Sequence, residues 1–308
     1  MPFAYTINPY RGCEFGCKYC YARYTHEFME LRESEQFENE IFAKAWKGAA
    51  FRGELRRIRR GEHIAMGTAT DPYQPAERRF GLTRKMLEVF AEERGLRVSI
   101  TTKSDLVARD AALLREVAKR NVVYIHMTVT TLDPRLARLL EPRAPRPDLR
   151  LGAVRVLAEA GIQAGVFASP ILPGMNDEGE GLAALAREAK RCGAVSFGGA
   201  PLFLKPCAAK VFLPFVEREF PAMAAAYRRA FGERAYLPES YKKRVSERVA
   251  AAREAAGLSR RPVEYTPAEW AGEEQLSLFG PPPRREAGEP RVAGAMDLWE
   301  EQPVRRAG

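Results

Sequence analysis

The chain of 308 residues is 46% hydrophobic, enough for a sizeable core, and carries a formal net charge of +9. That basic balance suits a polyanionic partner such as nucleic acid, although the arginines are spread over many segments rather than gathered in one stripe. The five cysteines, an odd number, argue against a disulfide framework. No run approaches the roughly 18 apolar residues of a membrane span. The opening MPFAYTINPYRGC lacks a basic-then-apolar leader, which points to the cytoplasm.

In chain order, a short strand at 3–8 leads into a cysteine-rich loop, followed by a helix within 44–60. Apolar strand-like runs then recur at 63–68, 96–102, 122–130, 162–172 and 194–204. Amphipathic helices are expected between them, near 81–94, 105–120, 148–160 and 178–192. Gly95, Gly161 and Gly193 fall where a helix should end and a strand begin. Strands alternating with helices imply a parallel α/β sheet. Six such units fall short of the eight of a closed barrel, so the expected architecture is a partial (β/α)6 barrel over residues 1–205. In the run at 122–130, Val123, Ile125, Met127 and Val129 share one face and Tyr124, His126, Thr128 and Thr130 the other. Such a split fits a strand with helices outside and a polar cavity inside. Helices at 211–232 and 239–256 form an expected helical extension, 206–258. From 259 to 308 periodicity is lost and a mostly disordered tail is expected.

The chemistry concentrates in Asn8-Pro9-Tyr10-Arg11-Gly12-Cys13-Glu14-Phe15-Gly16-Cys17-Lys18-Tyr19-Cys20-Tyr21-Ala22-Arg23. Gly12 and Gly16 allow the backbone to fold tightly around a metal group. Three thiolates in C-x3-C-x2-C spacing can bind three irons of a [4Fe–4S] cubane and leave the fourth iron open. A structural zinc site with His26 as fourth ligand is the competing reading. Against it, no second cysteine pair follows the triplet. Barrels collect function where strands end, which draws attention to Thr70 and Asp71, to Lys103, and to Thr128 on the inward face. His126 also points inward but reads as a packing residue. Cys192 reads as inert packing at the opposite end, and Glu141 and Arg143 read equally as a pair with each other or as cofactor contacts.

This loop resembles the signature of the radical S-adenosylmethionine superfamily. The wider wording NPYRGC…GCKYCYAR, GTATDPYQPAE, TTKS, LEPRAPR and ASPILPGMND is similar to its spore photoproduct lyase-like branch, often labelled DNA repair photolyases, over about residues 5–205. The resemblance implies that Cys13, Cys17 and Cys20 hold the cluster and that S-adenosylmethionine binds the open iron. An electron donor supplies the electron that cleaves it to methionine and a 5′-deoxyadenosyl radical, which abstracts hydrogen from substrate. It also implies contacts to the methionyl amino group by Thr70 and Asp71 and to the carboxylate by Lys103; by position, Thr128 on its inward face suits ribose or carboxylate, and the apolar bend at Pro170 and Ile171 suits adenine. Tyr19 would shield the cluster or touch adenine, and a thiol at Cys207 could donate hydrogen to a substrate radical. The chain departs from the branch at Thr68-Ala69-Thr70-Asp71, where spore photoproduct lyases carry a hydrogen-donating cysteine. Photoproduct repair in its familiar form is therefore not implied.

In the tail, Gln275-Leu276-Ser277-Leu278-Phe279 resembles the pentapeptide by which bacterial repair and replication proteins dock on the DNA sliding clamp. A flexible tether would present Leu and Phe to an apolar groove. Together these features lead to a radical enzyme acting on a DNA lesion or other nucleic acid. The alternatives are an RNA-modifying or small-molecule radical enzyme, and a non-catalytic, metal-bearing adaptor for the clamp.

Overall fold

The computed structural model describes residues 3–270 and 301–304. Six parallel strands form the central sheet: β1 (Tyr5–Ile7), β4 (His63–Met66), β5 (Arg97–Thr102), β6 (Val122–Thr128), β7 (Ala164–Ile171) and β8 (Ser196–Pro201), side by side in that order. Between β1 and β4 the chain makes the cysteine loop, β2 (Tyr10–Arg11), the short helices α1 (Tyr24–Glu27) and α2 (Gln36–Asn39), β3 (Ile41–Lys44) and α3 (Gly48–Leu55). The antiparallel β2–β3 pair, continued by β9 (Glu301–Val304), carries no signal long enough to be read from sequence.

Crossovers return the chain through α4 (Ala76–Phe80) and α5 (Leu82–Glu92), α6 (Ala111–Arg120), α7 (Pro134–Leu140) with α8 (Pro147–Glu159), and α9 (Gly179–Arg191). Gly95, Gly161 and Gly193 all adopt positive φ at helix-to-strand junctions, as helix C-terminal residues do. The expected two-faced strand is present. Val123, Ile125, Met127 and Val129 are buried among the outer helices, whereas Tyr124 and His126 meet inside the barrel, ring centroids 4.4 Å apart. Parallel register sets Ser99 beside Tyr124 and Thr101 beside His126, so the inward row is polar across neighbouring strands.

The C-terminal helices differ from expectation. The single helix expected at 211–232 is two, α10 (Pro206–Glu219) and α11 (Pro221–Phe231). Pro221 forces Phe220 out of helical geometry, to φ −136° and ψ 57°. The helix expected at 81–94 is α5, and Gly81, at φ +59°, separates it from the short α4 that precedes it. Helix α12 (Glu239–Ala255) shares the main apolar core through Val245, Val249 and Ala252, so it serves as the helix beside β8. A second apolar cluster joins α10 and α11 to the strand ends through Leu172, Leu202, Phe212, Phe215 and Tyr227. Of the segment 259–308, residues 259–270 are tied to the base of the sheet. The Tyr265 hydroxyl accepts from Val123 N at 2.8 Å and donates to the Asn121 carbonyl at 3.1 Å. Gln275–Phe279 lie outside the described residues. Among the described residues, no helix is long and apolar enough to cross a membrane.

The barrel interior is filled tightly at its base. A Cβ placed on Gly165 would lie 1.8 Å from the Tyr124 hydroxyl and 2.3 Å from Ser196 Oγ. Gly165→Ala is therefore expected to cost about 1–3 kcal/mol in urea unfolding. Gly53→Ala, with nothing within 4 Å of the new methyl, should be neutral or slightly stabilising.

Candidate active site at the cysteine loop

The loop Gly12–Cys20 has no helix or strand of its own, so its backbone groups must find partners elsewhere. The Gly12 carbonyl accepts from Thr70 Oγ1 at 2.6 Å and Gln74 Nε2 at 3.0 Å. Gln74 Oε1 accepts from Glu14 N at 2.9 Å, and Glu14 Oε2 accepts from Ala76 N at 2.6 Å. Cys13 N donates to the Phe37 carbonyl and Lys18 N to the Leu140 carbonyl, both at 2.9 Å. Arg23, buried and paired with Glu38 at 2.7 Å, donates to the Cys17 carbonyl at 3.1 Å. Gly12 sits at φ +77°, and a Cβ there would meet the Phe37 and Glu40 carbonyl oxygens at 2.8 and 2.9 Å.

This tethering places Cys13, Cys17 and Cys20 in one cavity of about 330 Å³ at the C-terminal ends of the strands. All three are free thiols. The cavity is also lined by Tyr19, Thr70, Asp71, Lys103, Thr128 and Pro170, so six of the side chains expected to touch S-adenosylmethionine converge there with the three thiols. Two expected residues do not line it. Ile171 is fully buried in the outer core: Phe167 and Ser169 face the cavity by alternation, and the register shift between Ala168 and Ile171 turns Pro170 toward the cavity and Ile171 away from it. Cys207 lies near the start of α10 with its Sγ 3.7 Å from the Tyr21 carbonyl oxygen, which it faces in place of the cavity.

The donor set fits an iron–sulfur group. Burial pushes the Cys13 thiol well above its ordinary range, and Asp71 and the other two thiols add to the effect. Cys17 is pushed up to about 12 by burial, and Cys20 is raised by burial against the pull of Arg23. A cationic metal group would offset this burial and let the three sulfurs bind as thiolates. His26 does not line the cavity. Its ring packs edge-on against Phe37 and Phe42, and its Nε2 lies 2.9 Å from the Glu40 carbonyl oxygen. Among the described residues, no three His, Cys, Asp or Glu side chains are arranged around a single-ion site.

Beneath the loop, Tyr19 stands on a buried polar network. Its hydroxyl donates to Glu141, which also accepts from Thr130 Oγ1 at 2.6 Å and pairs with Arg150 at 2.5 Å. Burial alone would raise the Glu141 carboxyl, but Arg150 and Lys103 hold it below the usual carboxylate range. Burial opposes the charge on Lys103, but Cys17 once ionised, Glu141 and Asp71 outweigh it, so the ammonium is held more firmly than usual. Asp71 accepts from Thr102 Oγ1 at 2.7 Å, Lys103 N at 2.7 Å and Tyr73 N at 2.9 Å, with burial still raising its carboxyl. Glu141 and Arg143 do not pair. Arg143 lies against Gly16, its Nη2 2.9 Å from the Cβ position there.

Sequence reasoning missed Gln74, Arg150 and the rim aromatics. Gln74 stands in the quoted GTATDPYQPAE, and a buried amide in a strand-end loop was the available signal. At the rim, Tyr21 and Phe203 line the cavity, and Phe203 stacks on Tyr236 with centroids 4.6 Å apart at 25°.

A family model described as the Radical SAM superfamily matches residues 7–186. An uncharacterized protein of Mycobacterium tuberculosis is 36% identical over 251 residues, covering 81% of this chain and 74% of its own. An uncharacterized protein of Methanocaldococcus jannaschii is 31% identical over 177 residues, covering 56% and 62%. Among solved structures, one variant of spore photoproduct lyase superposes with a TM-score of 0.60 at 16% identity, over 81% of this chain and 73% of that one. Another gives 0.54 at 19% identity, over 70% of this chain and 61% of that one. At such identities the likeness is one of fold.

Deeper in the barrel, burial pushes His126 down to about 4, with His63 adding to the effect. A depressed folded value means that the unfolded chain binds the extra proton first. The resulting stability is complete above the unfolded value near 6.5 and is lost as pH falls toward the folded one. Between pH 7.5 and 5 this residue should remove about 2 kcal/mol of stability. Urea titrations of wild type and His126→Asn at the two pH values should differ by about that amount in their pH dependence.

Proposed function

The chain belongs to the radical S-adenosylmethionine superfamily, and on that premise we propose a cytoplasmic enzyme that performs radical chemistry on a nucleic-acid or other nucleotide-containing substrate. The observation that carries this reading is the convergence of three free thiols with polar strand ends in one cavity. When bound, a [4Fe–4S] cluster supplies one electron for the cleavage of S-adenosylmethionine to methionine and a hydrogen-abstracting 5′-deoxyadenosyl radical.

The chain's own residues divide the remaining work. Cys13, Cys17 and Cys20 hold the iron. Lys103 offers a cation to the methionyl carboxylate. A carboxylate has about four lone-pair sites, and three hydrogen bonds to Asp71 leave room for the methionyl amino group. Thr70, whose hydroxyl is engaged by Gly12 and Gln74, positions the loop. Thr128 and Pro170 line the remainder of the cavity, toward ribose and adenine.

Support for a nucleotide substrate comes from the rim. Tyr21, Phe203 and Tyr236 form an aromatic series leading out of the cavity, Tyr236 is 61% exposed, and Lys242 lies 5.7 Å over its ring. Bases stack on such faces while cations meet phosphates. Docking on the sliding clamp through Gln275–Phe279 belongs to the same reading, since it would bring the enzyme to DNA.

Anaerobic reconstitution with iron and sulfide, followed by dithionite and S-adenosylmethionine, should yield 5′-deoxyadenosine, and Cys17→Ala should abolish it. A protein that forms no cluster and yields none would refute the radical assignment. Tyr236→Ala should weaken binding of a single-stranded oligonucleotide about 5- to 150-fold, the range for losing one stacked base, with cofactor cleavage intact. Unchanged binding would favour a small-molecule substrate.

A further inference from the structure

A second hollow, of about 600 Å³, lies against the same cysteine loop. Phe15, Arg78, Asp105, Arg138, Arg143 and Arg146 line it. Among the described residues it shares one lining side chain with the thiol cavity, Phe15, which is buried and forms the partition between them. All four arginines are exposed. Arg146 is paired with Asp148 at 2.8 Å, and Arg138 donates to the Pro142 carbonyl. Arg78 and Arg143 have no carboxylate within ion-pair distance among the described residues. The hollow thus presents a surplus of positive charge one side chain away from Cys13 and Cys17.

We infer that this arginine hollow is the docking site of an acidic one-electron carrier protein that reduces the metal group held by the loop. The inference rests on the cluster reading proposed above. Cofactor and substrate would fill the thiol cavity, so an electron has to arrive by another face, and at the arginine hollow the single side chain of Phe15 lines both sides. In the step, the reduced carrier loses one electron and the oxidised metal group gains it, with no atom or proton exchanged. Nucleic acid is the competing occupant of a basic surface. The exposed aromatics that would stack bases stand instead at the rim of the thiol cavity, whereas the ring of Tyr73 lining this hollow is buried. Four arginines without a stacking platform fit a carboxylate-rich protein surface.

The test uses the reconstituted full chain, with a flavodoxin reduced to its hydroquinone as carrier. Arg78→Glu/Arg138→Glu should weaken flavodoxin binding at least tenfold at low ionic strength, and wild-type binding should weaken steeply as salt is added. Arg78→Gln/Arg138→Gln, which removes charge without reversing it, should fall between. Production of 5′-deoxyadenosine driven by subsaturating flavodoxin should drop with affinity, while the rate driven by dithionite stays at the wild-type level. Flavodoxin affinity unchanged in both variants overturns the inference. So does a loss of oligonucleotide binding with flavodoxin binding intact, since the hollow would then belong to nucleic acid. Wild type that makes no 5′-deoxyadenosine with dithionite overturns instead the cluster reading beneath it.

Discussion

The structure turns on a stretch of backbone that cannot satisfy itself. Gly12–Cys20 forms neither ladder nor helix, yet Cys17 and Tyr19 are buried, and buried amides and carbonyls left unpaired would each cost about 1–3 kcal/mol. The solution is tethering from several elements at once. The loop after β4 holds the Gly12 carbonyl, the carbonyl of Leu140 at the end of α7 accepts from Lys18 N, and Arg23 returns to the Cys17 carbonyl. Because the tethers come from parts of the chain far apart in sequence, thiol spacing depends on the whole barrel being assembled. The site is organised by the fold before any metal arrives, as positioned ligands need to be.

A second dependence lies one layer down. Glu141 and Arg150 are nearly inaccessible, and taking two charges out of water is costly unless geometry and further hydrogen bonds compensate. Here Thr130 and Tyr19 complete the carboxylate's partners, while Arg150 also donates to the Pro145 carbonyl at 2.7 Å and the Thr128 carbonyl at 3.2 Å. The pair therefore fixes three things together: the end of β6, the turn before α8, and the ring that separates Cys17 from Cys20 in sequence. Removing either charge would leave the other stranded in the interior. Lys103, 5.7 Å over the Tyr19 ring, belongs to the same balance.

Much of the arrangement was legible in the sequence because it rests on local patterns. Alternating faces along β6, glycines at helix ends and close cysteine spacing each express a constraint within a few residues. Such constraints placed the six parallel strands and picked out nine candidate side chains that line one cavity at their ends. Other features depend on partners distant in sequence. Gln74 acts through Gly12, and Arg150 through Glu141, and neither partnership leaves a periodic trace. Ile171 stands at two-residue spacing from Phe167 and Ser169, which line the cavity, and the break in register after Ala168, which leaves no trace in the pattern, turns it to the outer core. Cys207 was read by its chemistry alone, and the turn into α10 directs its sulfur to a backbone oxygen. The break at Phe220 was readable in retrospect from Pro221, within a run otherwise apolar at helical spacing.

Tyr265 bears on the order in which the molecule can be completed. The Val123 amide at the base of β6 ends on a hydroxyl from much later in the chain, 142 residues on, and α12 covers β8 only shortly before it. A chain emerging from the ribosome therefore carries its central strands for most of synthesis without the groups that finish their lower edge and last flank. Parallel pairing already favours slow, long-range closure. Here that closure waits on residues beyond the last strand, so a nascent chain that has made every strand of the sheet is still open at both its base and its final edge.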